Sequence, residues 1–216
     1  MVSIYYTQKS EIMSPQFWEW CKKQLPQNIH DRLKKKQNKA KIQMSILGYI
    51  LLKEALKHND LSQQIEEIYY TINGRPTTQE NFDFNISHSG DYVVCVFSTQ
   101  HQVGIDIERM KPISLELLSN HFNPDEWKEI QYSQNSEQSF YKLWTKKEAM
   151  VKADGRGLTI PLKEIIIKKN HGHIERSKWF IQEIPTHKNY MIHLVTNEQI
   201  QEYNHVQISF IKHLVQ

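Results

Sequence analysis

The sequence predicts an α+β protein of two pseudo-symmetric α/β halves, each a long helix packed on a small antiparallel sheet. Three observations carry that prediction. Helical and strand-like periodicities alternate in blocks, with helices and then strands in each half. The tripeptides Gly74-Arg-Pro76 and Gly155-Arg-Gly157 fall at corresponding places after the long helices. The chain has 216 residues, 39% of them hydrophobic, with 8 Phe, 5 Trp and 10 Tyr among them. That is enough for one compact body or two domains of about 100 residues. The halves should meet near residue 103, dividing the chain into 1–103 and 104–216, with a ligand at their junction.

Residues 2–7 read as a short strand. Ser14-Pro15 reads as an N-cap with proline in the first helical position, opening a helix through Phe17, Trp18 and Cys21. A long helix is expected from about Asn28 to Lys57, because Ile42, Ile46 and Ile50, and then Leu47, Leu51 and Ala55, recur at helical spacing. The strand-like run 68–72 ends in the turn signal Asn73-Gly74. Phe82, Phe84 and Ile86 alternate, as does much of 92–97, with His88-Ser-Gly90 expected as a loop between them. Residues 103–108 form the next strand. Asn123-Pro124 with Asp125 and Glu126 signals a helix start, and a helix over 137–154 should stop at Gly155. Strands are expected over 165–168, 179–184, 190–195 and 206–211. His171-Gly-His173 falls at an apparent hairpin turn, and a plain turn is a better account of it than a metal site.

Composition excludes several classes. No apolar run approaches the ~18 residues that span a bilayer, and Met1-Val-Ser-Ile-Tyr-Tyr lacks the features of a secretory signal. Cys21 and Cys95 are the only cysteines, which argues against a disulfide framework or a zinc site and makes the cytoplasm the default. A net charge of +3 is too small to imply nucleic acid. The run Arg32, Lys34, Lys35, Lys36, Lys39 and Lys41 contains no aromatic residue. It suits a solvated face, or a patch for a phosphorylated ligand or an acidic partner.

The chemistry-bearing segments are Val103-Gly-Ile-Asp-Ile-Glu108 and Trp144-Thr-Lys-Lys-Glu-Ala-Met-Val-Lys152. Period two in a strand points Asp106 and Glu108 to one face. Spacing of four in a helix does the same for Glu148 and Lys152. Three carboxylates and an ammonium that can meet suit a divalent metal beside a phosphate. On spacing alone, Asp106 and Glu108 also fit the solvated face of an edge strand, and Lys152 a surface pair with Glu148. Thr145 with Glu148 also fits a capping box, although the apolar stripe Phe140, Leu143, Trp144 and Val151 indicates a helix already running at Thr145.

Taken in order, Gly74-Arg-Pro76, Phe84-Asn-Ile-Ser-His-Ser-Gly90, Val103–Glu108, Trp144–Lys152 and Gly155-Arg-Gly-Leu158 make the chain similar to the 4′-phosphopantetheinyl transferases, specifically the larger Sfp-type class of two fused halves. The resemblance implies transfer of the phosphopantetheine arm of coenzyme A to a serine of an acyl or peptidyl carrier protein, with adenosine 3′,5′-bisphosphate leaving. It implies Asp106, Glu108 and Glu148 as ligands of Mg²⁺, an all-oxygen set that suits Mn²⁺ as well. Glu148 would also be the general base, directly or through a metal-bound water, and Lys152 would touch a pyrophosphate oxygen. Ser87, His88 and Asp106 would sit at the coenzyme A phosphates, and Arg75 and Pro76 beside the adenine and 3′-phosphate. Arg32 would grip the 3′-phosphate with help from Ser45.

By the same resemblance, the N-terminal half binds the nucleotide, while the C-terminal half holds the metal and docks the carrier. Met44 departs from the family, many of whose members carry Arg there, so Lys41 or Lys36 must compensate. An acidic carrier would dock over residues 113–130, where Leu117, Leu118, Phe122 and Trp127 are candidate contacts. The implied protein is a cytoplasmic monomer needing neither nucleic acid nor membrane. A non-catalytic coenzyme A or nucleotide binder is the rival, and it predicts loss of a carboxylate that this chain keeps.

Overall fold

The structure, a computed structural model, describes residues 1–9 and 14–208. Strand β1 (Val2–Gln8) precedes helices α1 (Pro15–Lys23), α2 (Gln27–Lys34) and α3 (Lys39–His58). The Ser14 side chain accepts from the Phe17 amide and Pro15 opens α1, as its sequence predicts. The single helix expected over 28–57 is instead two. Asn38 leaves helical conformation and its side chain caps the Lys41 amide, restarting the chain as α3. Three consecutive lysines, Lys34 to Lys36, crowd like charge where α2 stops. The break folds Lys36 back so that its ammonium donates to the Ser45 hydroxyl at 2.6 Å.

Strands β2 (Tyr69–Tyr70) and β3 (Pro76–Thr77) form a two-stranded ribbon, shorter than the strand expected over 68–72. Strands β4 (Asp83–Ser89) and β5 (Tyr92–Ser98) pair up to Ser89 and Tyr92, leaving Gly90 and Asp91 as the turn. His88 and Ser89 therefore stand in β4 itself, not in a loop. Gly90 at φ 55° makes so tight a reversal accessible. After β6 (Val103–Arg109) come α4 (Pro124–Tyr132) and α5 (Ser136–Asp154), which ends on Gly155 at φ 87°. Strands β7 (Ile166–Ile167), β8 (His171–Ile174), β9 (Ser177–Glu183), β10 (Tyr190–Thr196) and β11 (Asn204–Gln207) follow. His171 and His173 belong to β8, and the nearby reversal falls at Glu175, φ 53°. Of the strand expected over 206–211, residues 209–211 lie outside the described residues.

Beside the β2–β3 ribbon, the described residues form two larger sheets, in the orders β11-β1-β5-β4 and β6-β10-β9-β8-β7. Alternation along β5 sends Val93, Cys95 and Phe97 into the core around α3. Val94 and Val96 face the other way, joining Val2, Ile4, Ile105, Ile107, Ile192 and Leu194 in a second core. That second core is the seam between the halves. Helix α5 covers the opposite face of β6, where Gly104 lets the helix backbone in; a Cβ there would collide with the Ala149 carbonyl and the Ala153 amide. Strand β11 pairs parallel with β1, so a strand from beyond residue 104 completes the sheet of the first half. No helix among the described residues is long and apolar enough to cross a membrane.

The sheets meet edge to edge at β4 and β6 without a backbone ladder between them among the described residues. Side chains of alternate β4 residues take its place. Asp83 accepts from the Val103 amide at 2.8 Å and Asn85 from Ile105 at 3.2 Å. Ser87 accepts from Ile107 at 3.3 Å and Ser89 from Arg109 at 3.0 Å. Four polar side chains thus satisfy four edge amides, two of them, at Ile105 and Ile107, in bonds that are buried.

Candidate active site

Ser87 and Ser89, having accepted from β6, donate back to the carboxylates that β6 carries. The Ser87 hydroxyl reaches Asp106 Oδ1 at 2.9 Å and the Ser89 hydroxyl reaches Glu108 Oε2 at 2.6 Å. From α5, Lys152 Nζ closes the arrangement at 2.6 Å from Asp106 Oδ1 and 2.8 Å from Ser87 Oγ. Ser87, Asp106, Glu108 and Lys152, with Ile86, His88, Trp144 and Glu148, line a cleft of about 350 Å³. Thr145 is buried within α5 and its hydroxyl donates to the Tyr141 carbonyl. Glu148 is therefore a mid-helix residue facing the cleft, not the partner of a cap.

The cleft's electrostatics are set by three carboxylates with one ammonium among them. Burial, and then the neighbouring Asp106 charge, raise the Glu148 carboxyl above its ordinary range. Glu108 is raised as well, by burial first and by Asp106, against the bond from Ser89. Burial, reinforced by Lys36 and Lys152, depresses His88, so its ring is neutral at pH 7. Asp106 Oδ2 is buried without a hydrogen-bond partner. That orphaned oxygen, with two further carboxylates on the same cleft, is the donor chemistry a hard divalent cation takes. Among the described residues no three acidic, histidine or cysteine side chains are already gathered into a metal cage; Lys152 neutralises Asp106 in this arrangement.

Two further clefts adjoin the first, and Ile86 lines all three. One carries Arg32, Lys36, Ser45, Tyr49, Tyr70, Pro76 and His88 along its wall. The Arg32 guanidinium lies 4.0 Å over the Tyr70 ring and donates to the Gly74 carbonyl at 3.0 Å. The Tyr70 and Tyr49 hydroxyls are hydrogen-bonded to each other. Burial, then repulsion from Arg32 and Lys41, lowers the Lys36 ammonium below its ordinary value. An anion relieves that repulsion. Met44 is buried in the first core, and Lys36 is the cation beside Ser45. The third cleft runs along Gly74, Arg75, Pro76, Glu148, Val151 and Lys152.

The structure thus brings Asp106, Glu108, Glu148, Lys152, Ser87 and His88 to one cleft and Arg32, Ser45 and Pro76 to its extension. Arg75 lies on the wall, but its guanidinium is engaged with protein acceptors. Lys36, offered by the sequence as a substitute for the missing arginine at Met44, lies on the wall of that extension, whereas Tyr49, Tyr70, Trp144 and Ser89 were not singled out as site residues by the sequence. The one advance signal was Ser89, two residues after Ser87 as Glu108 is after Asp106. Of the proposed docking residues, Leu117 is 80% exposed and Phe122 5%. Phe122 is a core residue, and Leu118 and Trp127 pack around it, because the aromatic rings of α5 offer it a larger apolar contact than solvent does.

Residues 102–206 match the family model of the 4′-phosphopantetheinyl transferase superfamily, and residues 13–100 that of the 4′-phosphopantetheinyl transferase N-terminal region. The 4′-phosphopantetheinyl transferase gsp of Aneurinibacillus migulanus is 40% identical over 130 residues, 58% of this chain and 54% of the relative. The 4′-phosphopantetheinyl transferase Sfp of Bacillus subtilis is 35% identical over 129 residues, 57% of each chain. The L-aminoadipate-semialdehyde dehydrogenase-phosphopantetheinyl transferase of Schizosaccharomyces pombe is 34% identical over 135 residues, 52% of each chain. The chain spans little more than half the length of these relatives.

Proposed function

The chain belongs to the 4′-phosphopantetheinyl transferase superfamily, and from that premise we propose that it transfers the 4′-phosphopantetheine arm of coenzyme A to a serine of an apo acyl or peptidyl carrier protein. The observation that carries the reading is a single cleft at the seam, where Asp106, Glu108, Glu148 and Lys152 meet Ser87 and His88. It continues into a pocket walled by Arg32, Lys36 and Ser45 with no carboxylate among its lining residues. A ligand with acidic phosphate groups at both ends of an extended nucleotide suits that distribution.

In the proposed reaction the carrier's serine oxygen bonds to the phosphorus that bears the pantetheine arm. The bond from that phosphorus to the bridging oxygen breaks, and adenosine 3′,5′-bisphosphate leaves with the electron pair. Glu148, facing the cleft from α5, takes the serine proton directly or through a water. Lys152 is a point charge for a pyrophosphate oxygen, with Ser87 and Asp106 holding its ammonium in place. Arg32, Lys36, Ser45 and His88 bind the remaining phosphates, and Pro76 borders them. Mg²⁺ would be held by Asp106, Glu108 and Glu148, and when bound it would neutralise charge on the pyrophosphate oxygens. An acidic carrier would approach over residues 113–130, guided by the surplus of cations. Since both sides of the cleft come from one chain, a monomer suffices.

The test is the intact mass of an apo carrier protein after incubation with this protein, coenzyme A and Mg²⁺. The expected result is a gain of one phosphopantetheine, absent with EDTA and with Glu148→Gln. No gain across fatty-acid, polyketide and peptide-synthetase carriers, with coenzyme A still bound, would leave a non-catalytic binder.

A further inference from the structure

Arg75 stands on the wall of the ligand groove with the residue type of a phosphate grip. Its contacts describe a different task. Nη1 donates to the carbonyls of Lys152 and Ala153, at 2.6 Å each. Nη2 lies 2.8 Å from both Asp83 oxygens and 3.2 Å from the Val103 carbonyl. The Arg75 side chain is 13% exposed and that of Asp83 20%. Asp83 in turn accepts from the Val103 and Phe84 amides at 2.8 and 2.9 Å. To reach a substrate, Arg75 would have to abandon all of these partners at once.

The two carbonyls it holds belong to the last turn of α5, where the helix has no amides left to satisfy them and the helix dipole is negative. One of them is the carbonyl of Lys152 itself. Arg75 therefore fixes the backbone from which the Lys152 ammonium reaches Asp106 and Ser87. It anchors that backbone, through Asp83, to the first residues of β4 and β6. The ion pair thus joins the end of the helix carrying Glu148 and Lys152 to the strands carrying Ser87 and Asp106. Gly155 continues the same contact, since a Cβ there would lie 3.3 Å from the Arg75 side chain.

We propose that Arg75, held by Asp83, is a positioning residue that sets where the C-terminal end of α5 presents Lys152, and that it is not a ligand of the substrate phosphates. The proposal deepens the transferase reading and rests on it for its kinetic consequence. Small displacements of a positioning group cost up to about 100-fold in rate. Arg75→Gln and Asp83→Asn should each lower kcat by about 10- to 100-fold, and any weakening of coenzyme A binding should be the same in both, since only Lys152 is displaced. Because the two residues act as one unit, the double variant should lose little more than either single variant.

Amide hydrogen exchange provides a readout independent of transfer. Both variants should exchange faster over residues 152–155, where the Gly155 amide bonds to the Val151 carbonyl at 3.0 Å, and should match the wild type over 140–147. Arg75→Lys keeps the charge without the fork. It is read in the same way, and serves if Arg75→Gln does not fold. Weakened coenzyme A binding by Arg75→Gln or Arg75→Lys together with full activity of Asp83→Asn would overturn the proposal. Unchanged exchange at 152–155 would overturn it as well. If the wild-type protein transfers nothing, the transferase reading fails, while the exchange rates still decide the role of Arg75.

Discussion

His193 shows how one buried side chain couples this fold to pH. It lies on β10 with no exposed surface, and its Nδ1 shares a 2.7 Å hydrogen bond with the Thr145 hydroxyl of α5. Burial, aided by Lys146 and Lys142, pushes its pKa down to about 3. In the unfolded chain the ring takes up a proton below about pH 6.5. Protons therefore favour the unfolded state throughout the window from 6.5 to 3, and stability falls as pH falls. Within that window the group contributes a slope of about 1.4 kcal/mol per pH unit. Urea denaturation at pH 5 and 6 should show a His193→Gln variant losing less stability than the wild type over that interval, by about that amount. Equal slopes in the two proteins would show that His193 is charged in the folded state. At the same scale, spacings of two and four, intrinsic to strand and helix, grouped Asp106 with Glu108 and Glu148 with Lys152. On spacing alone a solvated face fitted them as well, and only the motif set as a whole pointed to a site. The sequence offered Lys36 only as an alternative to Lys41, and it did not disclose Tyr49 and Tyr70. Their association depends on where α2 stops and on how β2 lies over α3, and no local period encodes that.

At the scale of elements, the contact between α5 and β6 governs the site, because each carries half of it. Gly104 precedes Asp106 by two residues on the same strand face and admits the helix backbone. Gly104→Ala places a methyl group against the Ala149 carbonyl and the Ala153 amide, so helix and strand must separate. Overpacking of this kind costs about 1–3 kcal/mol. The same shift should draw Lys152 away from Asp106, and activity in the carrier assay should fall more than stability does. A fully active Gly104→Ala protein would mean that the helix tolerates the shift. Sequence reading placed α5 and its Gly155 stop well, since apolar period and cap agree there. It ran α2 and α3 together because Ile42, Ile46 and Ile50 continue a helical pattern and the cap at Asn38 was not weighed against it. It put His88 and Ser89 in a loop because polar residues between two strands resemble a turn. In fact the alternation of Asp83, Asn85, Ser87 and Ser89 with Phe84, Ile86 and His88 continues the strand to Ser89.

For the whole molecule, the division expected near residue 103 falls between β5 and β6, yet the two segments share one hydrophobic seam. Val2, Ile4, Val94 and Val96 from one side bury against Ile105, Ile107, Ile192 and Leu194 from the other. Strand β11 also returns to pair with β1. Neither segment could be removed without exposing that apolar surface. Calorimetry should therefore record a single cooperative transition, with equal calorimetric and van't Hoff enthalpies. Two resolved transitions would mark the halves as independent units. The alternation of helices and strands was legible because each segment carries its own local periodicity. The return of β11 was not, because pairing between residues some 200 positions apart in sequence leaves no local trace.

The polar rungs between β4 and β6 also bear on solubility. Each strand is the last of its sheet on that side, and an uncovered last strand is a template on which other chains can add. Here each hides the other, and the cover is made of four short side chains rather than a backbone ladder. A chain that misplaces Asp83, Asn85, Ser87 or Ser89 during folding would present two bare strand margins at once. The stretch that builds the cleft is therefore also the stretch that covers one outermost strand of each of the two larger sheets.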